Sequence, residues 1–221
     1  MKTTLRELNR SLGRVSYRRH MMNEKLNYFF EDFSAGVVVD LGGTNVTGKK
    51  YFIYPKHKAQ KWITINISEE AKPDIIGSIY ETGIESSSVD AVICTEVFEH
   101  LADPFAAIKE IERILKPGGI FIGSTPFLFK IHGDPDDYFR YTKSALENVL
   151  LKNFFKVEIF SMGGGIGTAG MILTQVTNDF NFRIIKYIIK YIARLMALVD
   201  YKKGHERKDD VTTGYIWRCS L

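Results

Sequence analysis

One loop of the sequence concentrates side chains that can hold a polar substrate and move a proton. The loop runs from residue 127 to 142, and its candidate catalytic residues are His132, Tyr138 and Arg140. An imidazole is suited to accepting a proton near neutral pH, and a guanidinium can bind an anionic group such as phosphate. Plainer roles stay open: His132 can cap the loop, Tyr138 can simply pack, and Arg140 can pair with Asp136 or Asp137.

A second group follows the apolar run Val37-Val38-Val39 and reads Asp40-Leu41-Gly42-Gly43. Glycine lets the backbone approach a ligand closely, and a carboxylate can accept hydrogen bonds from a cationic amine. The segment lacks the G-x-G-x-x-G pattern of dinucleotide-binding loops, because threonines occupy the other two glycine positions. Taken alone, it predicts either a cofactor loop or a tight turn between a strand and a helix.

A third group follows the apolar run at 89–94 and includes Thr95, Glu96, Val97, Glu99 and His100. His100 can take part in chemistry or bond a neighbouring loop carbonyl. The sequence contains no Cys/His cluster with the spacing of a zinc site, so we predict no metal site. Its two cysteines, at positions 94 and 219, read as buried thiols in a reducing compartment.

The elements that must position these groups follow from hydrophobic patterning. Strands are predicted at 37–39, 62–67, 73–76, 89–94, 120–123, 156–160 and 214–220, and helices at 3–33, 104–116, 143–152 and 180–199. Apolar strands that alternate with helices predict an α/β protein with a doubly wound, mostly parallel sheet. In such sheets ligands bind at the carboxyl ends of the strands.

Two segments then point to a family. The first runs from Val89 through Glu99-His100 to Pro104, and the second is Ile114-Leu115-Lys116-Pro117-Gly118-Gly119-Ile120-Phe121. Their order and spacing resemble the class I S-adenosylmethionine-dependent methyltransferases, over about residues 35–160 and the final strand. The loop at 127–142 is similar to stretches in methyltransferases of surface-glycan and natural-product pathways. The resemblance implies a Rossmann-like, seven-stranded sheet with an antiparallel last strand and a helical insertion before it.

The resemblance also implies a function and a set of binding residues. It implies methyl transfer from S-adenosyl-L-methionine to a small polar acceptor, such as a sugar, a nucleotide-sugar or a lipid-linked glycan. The implied cofactor-binding residues are Asp40, Gly42 and Gly43 at the methionine end, Asn66 at the ribose, Ser78 and Ile79 at the adenine, and Thr95, Glu96 and Val97 around the cofactor. Thr44, Asn66 and Ser78 stand where the family usually has a glycine and two acids. The alternative is therefore a catalytically degenerate protein with a binding or regulatory role.

Charge divides the chain into an acidic body and two basic segments. Of the net charge of +4, residues 1–30 carry +5, residues 181–208 carry +6, and the remainder carries −7. We predict an N-terminal basic helical segment at 1–34, a methyltransferase domain at 35–162 and 211–221, and a helical insertion at 163–210. The net acidic body, with no base-flipping motif after the fourth strand, argues against a nucleic-acid partner.

The helix predicted at 180–199 combines a wide apolar surface with a basic stripe. We favour packing on its own domain or on a second subunit, which would make a homodimer. The alternative is peripheral contact with a membrane surface, since an interfacial helix has this pattern. No apolar core follows the basic N-terminus, so we expect a cytoplasmic protein, with the inner membrane surface as the alternative location.

Overall fold

The computed structural model describes residues 4–12, 15–46, 54–133, 135–177, 183–202 and 211–221. The chain divides into two compact units. The sheet unit contains Phe29–Thr125, His132–Phe160 and Ile216–Leu221, and the helical unit contains Met1–Tyr28, Pro126–Ile131 and Ser161–Tyr215. The segment boundaries that the sequence suggests near residues 34, 162 and 210 stay predictions.

Among the described residues, seven strands form one sheet in the order β3-β2-β1-β4-β5-β7-β6. Their bounds are β1 Ala35–Leu41, β2 Ala59–Asn66, β3 Ile75–Ile76, β4 Val89–Thr95, β5 Leu115–Pro126, β6 Phe155–Ser161 and β7 Gly214–Ser220. The pairs β1–β2, β1–β4, β2–β3 and β4–β5 are parallel, and β7 is antiparallel. The predicted doubly wound sheet with an antiparallel last strand is confirmed.

The central strands form where the sequence is apolar and β-branched. Val38 and Val39 in β1 are fully buried, as is Val92 in β4, so the sheet is covered on both faces. Trp217 of β7 is also fully buried and lies over β5 at Gly123. A Cβ atom at Gly123 would lie 2.2 Å from Cζ2 of the indole, so this position has room for glycine alone.

The helices among the described residues are α1 Leu5–Ser11, α2 Tyr17–Phe29, α3 Pro104–Ile114, α4 Lys143–Ala145, α5 Gly165–Val176 and α6 Arg183–Lys202. The prediction of one helix over 3–33 is wrong, because a second helix begins at Tyr17. The Ser16 hydroxyl accepts a hydrogen bond from the Arg19 amide at 3.2 Å, as an N-cap does. Val15 and Ser16 are not helical.

The helix after β4 begins where it was predicted and ends earlier. Pro104 occupies its first turn, and the Asp103 carboxylate caps it by accepting from the amides of Phe105 and Ala106. It ends at Ile114 because Leu115 is already extended and begins β5. The helix predicted at 143–152 is only the short α4, which continues as a π-helical turn over Leu146–Leu150.

In the helical unit, α5 was not predicted, and its start depends on a side chain from another helix. Gly164 precedes α5 and cannot cap it. Asp200 of α6 does so instead, accepting from the Gly164 amide at 2.7 Å and the Ile166 amide at 3.2 Å. The Tyr17 hydroxyl donates to the same buried carboxylate at 2.7 Å. The ring of Tyr17 lies against Gly167, where a Cβ atom would be 2.1 Å from Cε1.

Only a narrow face of α6 is buried, formed by Ala193, Ala197 and Asp200. The predicted start at residues 180–182 lies outside the described residues, as do residues 203–210. The large apolar side chains of α6 that are exposed are Ile184, Ile185, Tyr187, Ile188, Tyr191, Ile192, Leu195 and Val199. In the part of the chain that the structure describes, no helix is both long and apolar enough to cross a bilayer.

Candidate functional site

Asp40, Gly42 and Gly43 lie at the carboxyl end of β1, in a loop whose backbone requires glycine at positions 42 and 43. Gly42 has φ +77°, and a Cβ atom there would lie 2.4 Å from Cγ2 of Val97. A Cβ atom at Gly43 would lie 2.3 Å from Oδ2 of Asp40. Both positions therefore present bare backbone.

Asp40 is the most perturbed acid of this loop. Burial raises the pKa of its carboxyl from an ordinary 3.8 to about 7, and the charge of Lys56 opposes that rise only in part. Among the described residues, no lysine or arginine forms an ion pair with Asp40. A carboxyl in this state favours a cationic partner, since an adjacent positive charge would stabilise its ionised form.

The glycine loop is fastened to the end of β2 by Asn66. Its side-chain amide donates to the carbonyl oxygens of Gly42, at 3.1 Å, and Gly43, at 2.9 Å. The side-chain oxygen Oδ1 of Asn66 accepts a hydrogen bond from the Ser68 amide at 2.9 Å. Asn66 thus holds the loop, and its oxygen keeps one lone pair for a further donor. Thr44 adds a second attachment, because its hydroxyl donates to the Ala71 carbonyl at 3.1 Å.

The segment after β3 lies beside the end of β2. The Gly77 amide donates a hydrogen bond to the backbone carbonyl of Asn66 at 3.1 Å. Ser78 and Ile79 come next and are half-buried, and the Ser78 hydroxyl accepts from the Tyr80 amide at 3.1 Å. Ser78 and Ile79 are therefore at the carboxyl edge of the sheet, with part of each side chain accessible, and their contact with the adenine stays a prediction.

The carboxyl end of β4 brings Thr95, Glu96 and Val97 to the same edge. The Thr95 hydroxyl is 2.8 Å from the Tyr54 hydroxyl. Glu96 takes the left-handed backbone conformation at φ 59°, and its carboxylate accepts from the Ser124 hydroxyl of β5 at 2.7 Å. Backbone strain of this kind in a non-glycine residue is concentrated at functional sites.

The loop that carries His132 is tied to the turn after β4. The amides of Tyr138 and Phe139 both donate to the Glu99 carbonyl, at 2.7 and 3.3 Å. Nδ1 of His100 lies 2.5 Å from the Asp136 carbonyl oxygen, the loop-bonding role that the sequence left open for this residue. These contacts fix the loop at the carboxyl edge of β4.

Asp137 organises the two predicted catalytic groups of the loop. Its carboxylate accepts from the His132 amide at 2.9 Å and lies 3.2 Å from Nδ1 of the same residue. The Arg140 guanidinium donates to both of its oxygens, and this bonding holds the pKa of the Asp137 carboxyl far below its usual range. The ion-pair alternative considered for Arg140 is present in the structure. Tyr138 is half exposed, and its hydroxyl donates to Asp136 at 3.1 Å.

An apolar pocket of about 270 Å³ lies next to this loop. Its lining comes from the start of α3, the loop and the turn after α4: Ala102, Asp103, Pro104, Phe105, Phe139, Tyr141, Ala145, Val149 and Leu150. The volume is below that of most whole-ligand sites, so the pocket fits an apolar fragment of a ligand.

Similarity to known proteins agrees with this arrangement. Residues 46–123 match the family model described as a methyltransferase domain. The fold matches an S-adenosylmethionine-dependent methyltransferase from Archaeoglobus fulgidus with a TM-score of 0.56 and 16% identity, over 92% of this chain and 94% of that one. Residues 46–123 and the seven-stranded fold are therefore similar to those of the class I S-adenosylmethionine-dependent methyltransferases.

Other methyltransferases are similar to this chain over part of their length. The fold also matches phosphoethanolamine N-methyltransferase 2 of Haemonchus contortus with a TM-score of 0.55 and 15% identity, over 90% of this chain and 52% of that one. The ubiquinone biosynthesis O-methyltransferase of Actinobacillus pleuropneumoniae is 30% identical over 38% of this chain and 37% of its own length. That of Xanthomonas oryzae is 49% identical over 19% of this chain and 17% of its own length. The matched region thus spans less than two-fifths of either curated relative.

Methyltransferases of this class use S-adenosylmethionine as the methyl donor, and the site fits that molecule. The donor carries an ammonium group, which the buried Asp40 carboxyl can bind. It also needs uncovered backbone at the end of β1, which Gly42 and Gly43 provide. Asn66 offers the ribose a carbonyl oxygen in place of a carboxylate, so that contact would be a neutral hydrogen bond.

The sequence did not predict the grouping of Glu99, His100 and His132. One ligand atom from each lies within 4.8 Å of the others, and Glu99 is fully buried. Among the described residues, this is the group of three such side chains whose ligand atoms are close enough to share a metal ion. The sequence signal that could have indicated this group was Glu99, an acid that follows an apolar strand. The approach of His132 was not visible, because it depends on how a loop more than 30 residues away folds back.

Proposed function

We propose that this protein transfers a methyl group from S-adenosylmethionine to a hydroxyl oxygen of a small polar molecule. The observation that carries the proposal is the attachment of the His132 loop to the turn after β4, through the Glu99 carbonyl. The carboxyl ends of β1 and β4 lie side by side in the sheet, because these strands are paired in parallel. An imidazole therefore stands at the edge that carries the glycine loop.

Positioning supplies most of the catalysis in this proposal, because an in-line displacement needs aligned reactants. S-adenosylmethionine supplies a methyl group on a sulfonium, which leaves as a neutral thioether. Asp40 binds the donor's ammonium group, and the backbone of Gly42 and Gly43 allows its close approach. The half-exposed Tyr138 forms a wall of the acceptor site.

His132 accepts the proton of the acceptor hydroxyl. A carboxylate can only accept hydrogen bonds, so Asp137 favours the tautomer in which Nδ1 of His132 carries the hydrogen. Nε2 then has a lone pair for the proton. Arg140 contributes by holding Asp137, since its guanidinium is bonded to both carboxylate oxygens.

The proposed acceptor is a hydroxyl compound, and the more specific proposal is a sugar. Transfer to oxygen is supported by the curated relatives, which are named O-methyltransferases. The sugar, nucleotide-sugar or lipid-linked glycan rests on the resemblance of the loop at 127–142. A panel that contains nucleotide-sugars, a lipid-linked sugar and simple phenols separates these classes, with methylated product measured by mass spectrometry.

A pair of variants tests the base. His132→Ala should lower kcat by about 10²–10⁴-fold on a hydroxyl acceptor while leaving S-adenosylhomocysteine affinity unchanged. His57→Ala removes an exposed histidine elsewhere and should leave both unchanged. Equal turnover in the two variants would show that His132 is not the base.

A second function is favoured by one observation, the engagement of Asn66 with the glycine loop. A protein that has lost turnover could keep Asn66 as a purely structural clamp and bind other ligands or proteins with the same fold. Calorimetry with S-adenosylhomocysteine distinguishes the two functions. Absence of binding at millimolar ligand would favour the binding or regulatory role.

We further propose that α6 places the protein on an anionic membrane surface, the location left open by the sequence. The helix contains five basic residues, and its one acid, Asp200, is buried. Ile184 and Tyr187 are 75% and 67% exposed. Exposed apolar side chains beside lysine and arginine match the acyl boundary and charged headgroups of such a membrane.

Vesicle sedimentation tests this location. Lys190→Glu should weaken binding to phosphatidylserine-containing vesicles at low salt by about 30-fold, at about 1 kcal/mol for each of two charge units. Lys152→Glu makes the same charge change outside α6 and should have little effect. Equal binding by the two variants, or a stable homodimer that buries α6 in light-scattering measurements, would overturn the proposal.

A further inference from the structure

Three side chains beside the proposed acceptor site have the composition of a metal site. Glu99 is fully buried in the turn after β4, His100 follows it, and His132 reaches them from the loop. One ligand atom from each lies within 4.8 Å of the other two. The imidazole rings are 5.1 Å apart between centroids and edge-to-face. Two imidazoles and one carboxylate are a frequent ligand set for divalent transition metals.

The second nitrogen of each imidazole is already held by an acceptor. Nδ1 of His100 lies 2.5 Å from the Asp136 carbonyl oxygen, and Nδ1 of His132 lies 3.2 Å from the Asp137 carboxylate. Because neither partner can donate, both rings should carry their hydrogen on Nδ1 and a lone pair on Nε2. Metal-binding histidines are held in this way by carbonyls and carboxylates.

The distances suit an ion better than direct contact. Nε2 of His100 is 3.7 Å from Oε1 of Glu99, which is too long for a hydrogen bond. Two ligands bound at about 2.0–2.1 Å to one tetrahedral ion would be about 3.4 Å apart. The three ligand atoms lie within 4.8 Å of one another, so closing the site requires approaches of up to about 1.4 Å.

We propose that Glu99, His100 and His132 bind one divalent transition-metal ion through the Glu99 carboxylate and the two Nε2 atoms. Three protein ligands leave at least one coordination position open. The Arg140 guanidinium lies near enough to Glu99 for their charges to interact, but it is bonded to Asp137.

The ion would also define the acceptor, a step that rests on the proposed function. An acceptor with two adjacent oxygens, such as a vicinal diol or a catechol, could fill the open positions. Binding to the ion makes its hydroxyl more acidic. The proton then passes to water, the oxygen forms the new bond to the methyl carbon, and the sulfur–carbon bond breaks. In the metal-loaded protein Nε2 of His132 is a ligand, and it serves as the base only when the ion is absent.

Cobalt(II) titration of the untagged, metal-stripped full chain tests the site. We expect one Co²⁺ per chain, with visible absorption bands, and competition by Zn²⁺ in calorimetry. Glu99→Gln and His132→Ala should each lower Co²⁺ affinity by at least about 10–100-fold, the loss found even for groups that only support a ligand. His57→Ala is the matched control and should bind as the unmodified chain does.

Circular dichroism and S-adenosylhomocysteine binding confirm that each variant is folded. Absence of Co²⁺ binding at micromolar metal, or equal affinity in His132→Ala and His57→Ala, overturns the metal site. Methyl transfer is measured separately. A chain that binds Co²⁺ and methylates no acceptor overturns the proposed function and leaves the metal site. A chain that methylates an acceptor and binds no metal overturns the metal site and leaves the proposed function.

Discussion

The buried Asp40 carboxyl makes cofactor affinity depend on pH in a calculable way. With a pKa of about 7, the carboxyl is about 9% ionised at pH 6 and about 91% ionised at pH 8. A ligand ammonium group prefers the ionised form. If only that form binds, affinity for S-adenosylhomocysteine should rise by about tenfold from pH 6 to pH 8.

Calorimetry measures both the affinity and the protons released. Binding at pH 6 should release about 0.9 proton per ligand, and binding at pH 8 about 0.1, seen as a dependence of the measured heat on the ionisation enthalpy of the buffer. Asp40→Asn should bind more weakly at pH 8 and lose the pH dependence. Asp32→Asn removes the same charge at an exposed position and should retain it.

The same carboxyl predicts a stability effect of opposite direction. The folded pKa lies above the unfolded value, so the folded state binds more protons between pH 4 and 7, and stability falls as pH rises through that window. The rise of the Asp40 pKa from 3.8 to about 7 corresponds to about 4 kcal/mol of folding stability lost when the carboxyl is ionised. Asp40→Asn should therefore raise Tm at pH 8 relative to the unmodified chain, and much less at pH 4. An affinity constant within twofold from pH 6 to pH 8, or an unchanged slope in Asp40→Asn, would refute the reasoning.

Three further perturbations have defined outcomes. Gly42→Ala should abolish measurable S-adenosylhomocysteine binding, because the added Cβ meets Val97. The same variant should lower the free energy of unfolding in urea by about 1–3 kcal/mol. Gly83→Ala is its control, because Gly83 has a similar positive φ in open space and isolates the backbone effect. Asp200→Ala should lower the unfolding free energy of the helical unit by about 3 kcal/mol, measured as a loss of Tm, because the cap of α5 is lost. Glu110→Gln should destabilise at pH 7, and this cost should shrink as pH falls from 4.5 toward 2, since bonding to Arg113 lowers the pKa of Glu110 to about 2.

The strands were predictable because burial on both faces demands continuous apolar runs, and β1 and β4 are such runs. The helix boundaries were less predictable, since they depend on single capping contacts. Ser16 starts a second helix inside a stretch that reads as one, and α5 combines several glycines, poor helix formers, with a cap supplied by Asp200. The local sequence does not contain that cap.

The site shows the same division between local and long-range information. Asp40, Gly42 and Gly43 were predictable because strand, acid and glycines are adjacent in the chain. The pairing of Arg140 with Asp137 was foreseen as one of two roles, since three residues separate them. The meeting of His132 with Glu99 was not foreseen, because it requires the loop to bond a carbonyl far away in the sequence. Asn66 was expected at the ribose, and its hold on the glycine loop depends on strand register.

The place of β7 between β5 and β6 has a consequence for the order of folding. Ser161 ends β6 and Gly214 begins β7, so β6 is made long before the strand that joins it to the sheet. Until β7 inserts, β5 and β6 both expose unpaired edges that can pair with another chain. Insertion requires contacts distant in sequence, which form slowly. We expect a partly folded intermediate that aggregates in proportion to protein concentration, and chaperone binding to β5 and β6 as its remedy.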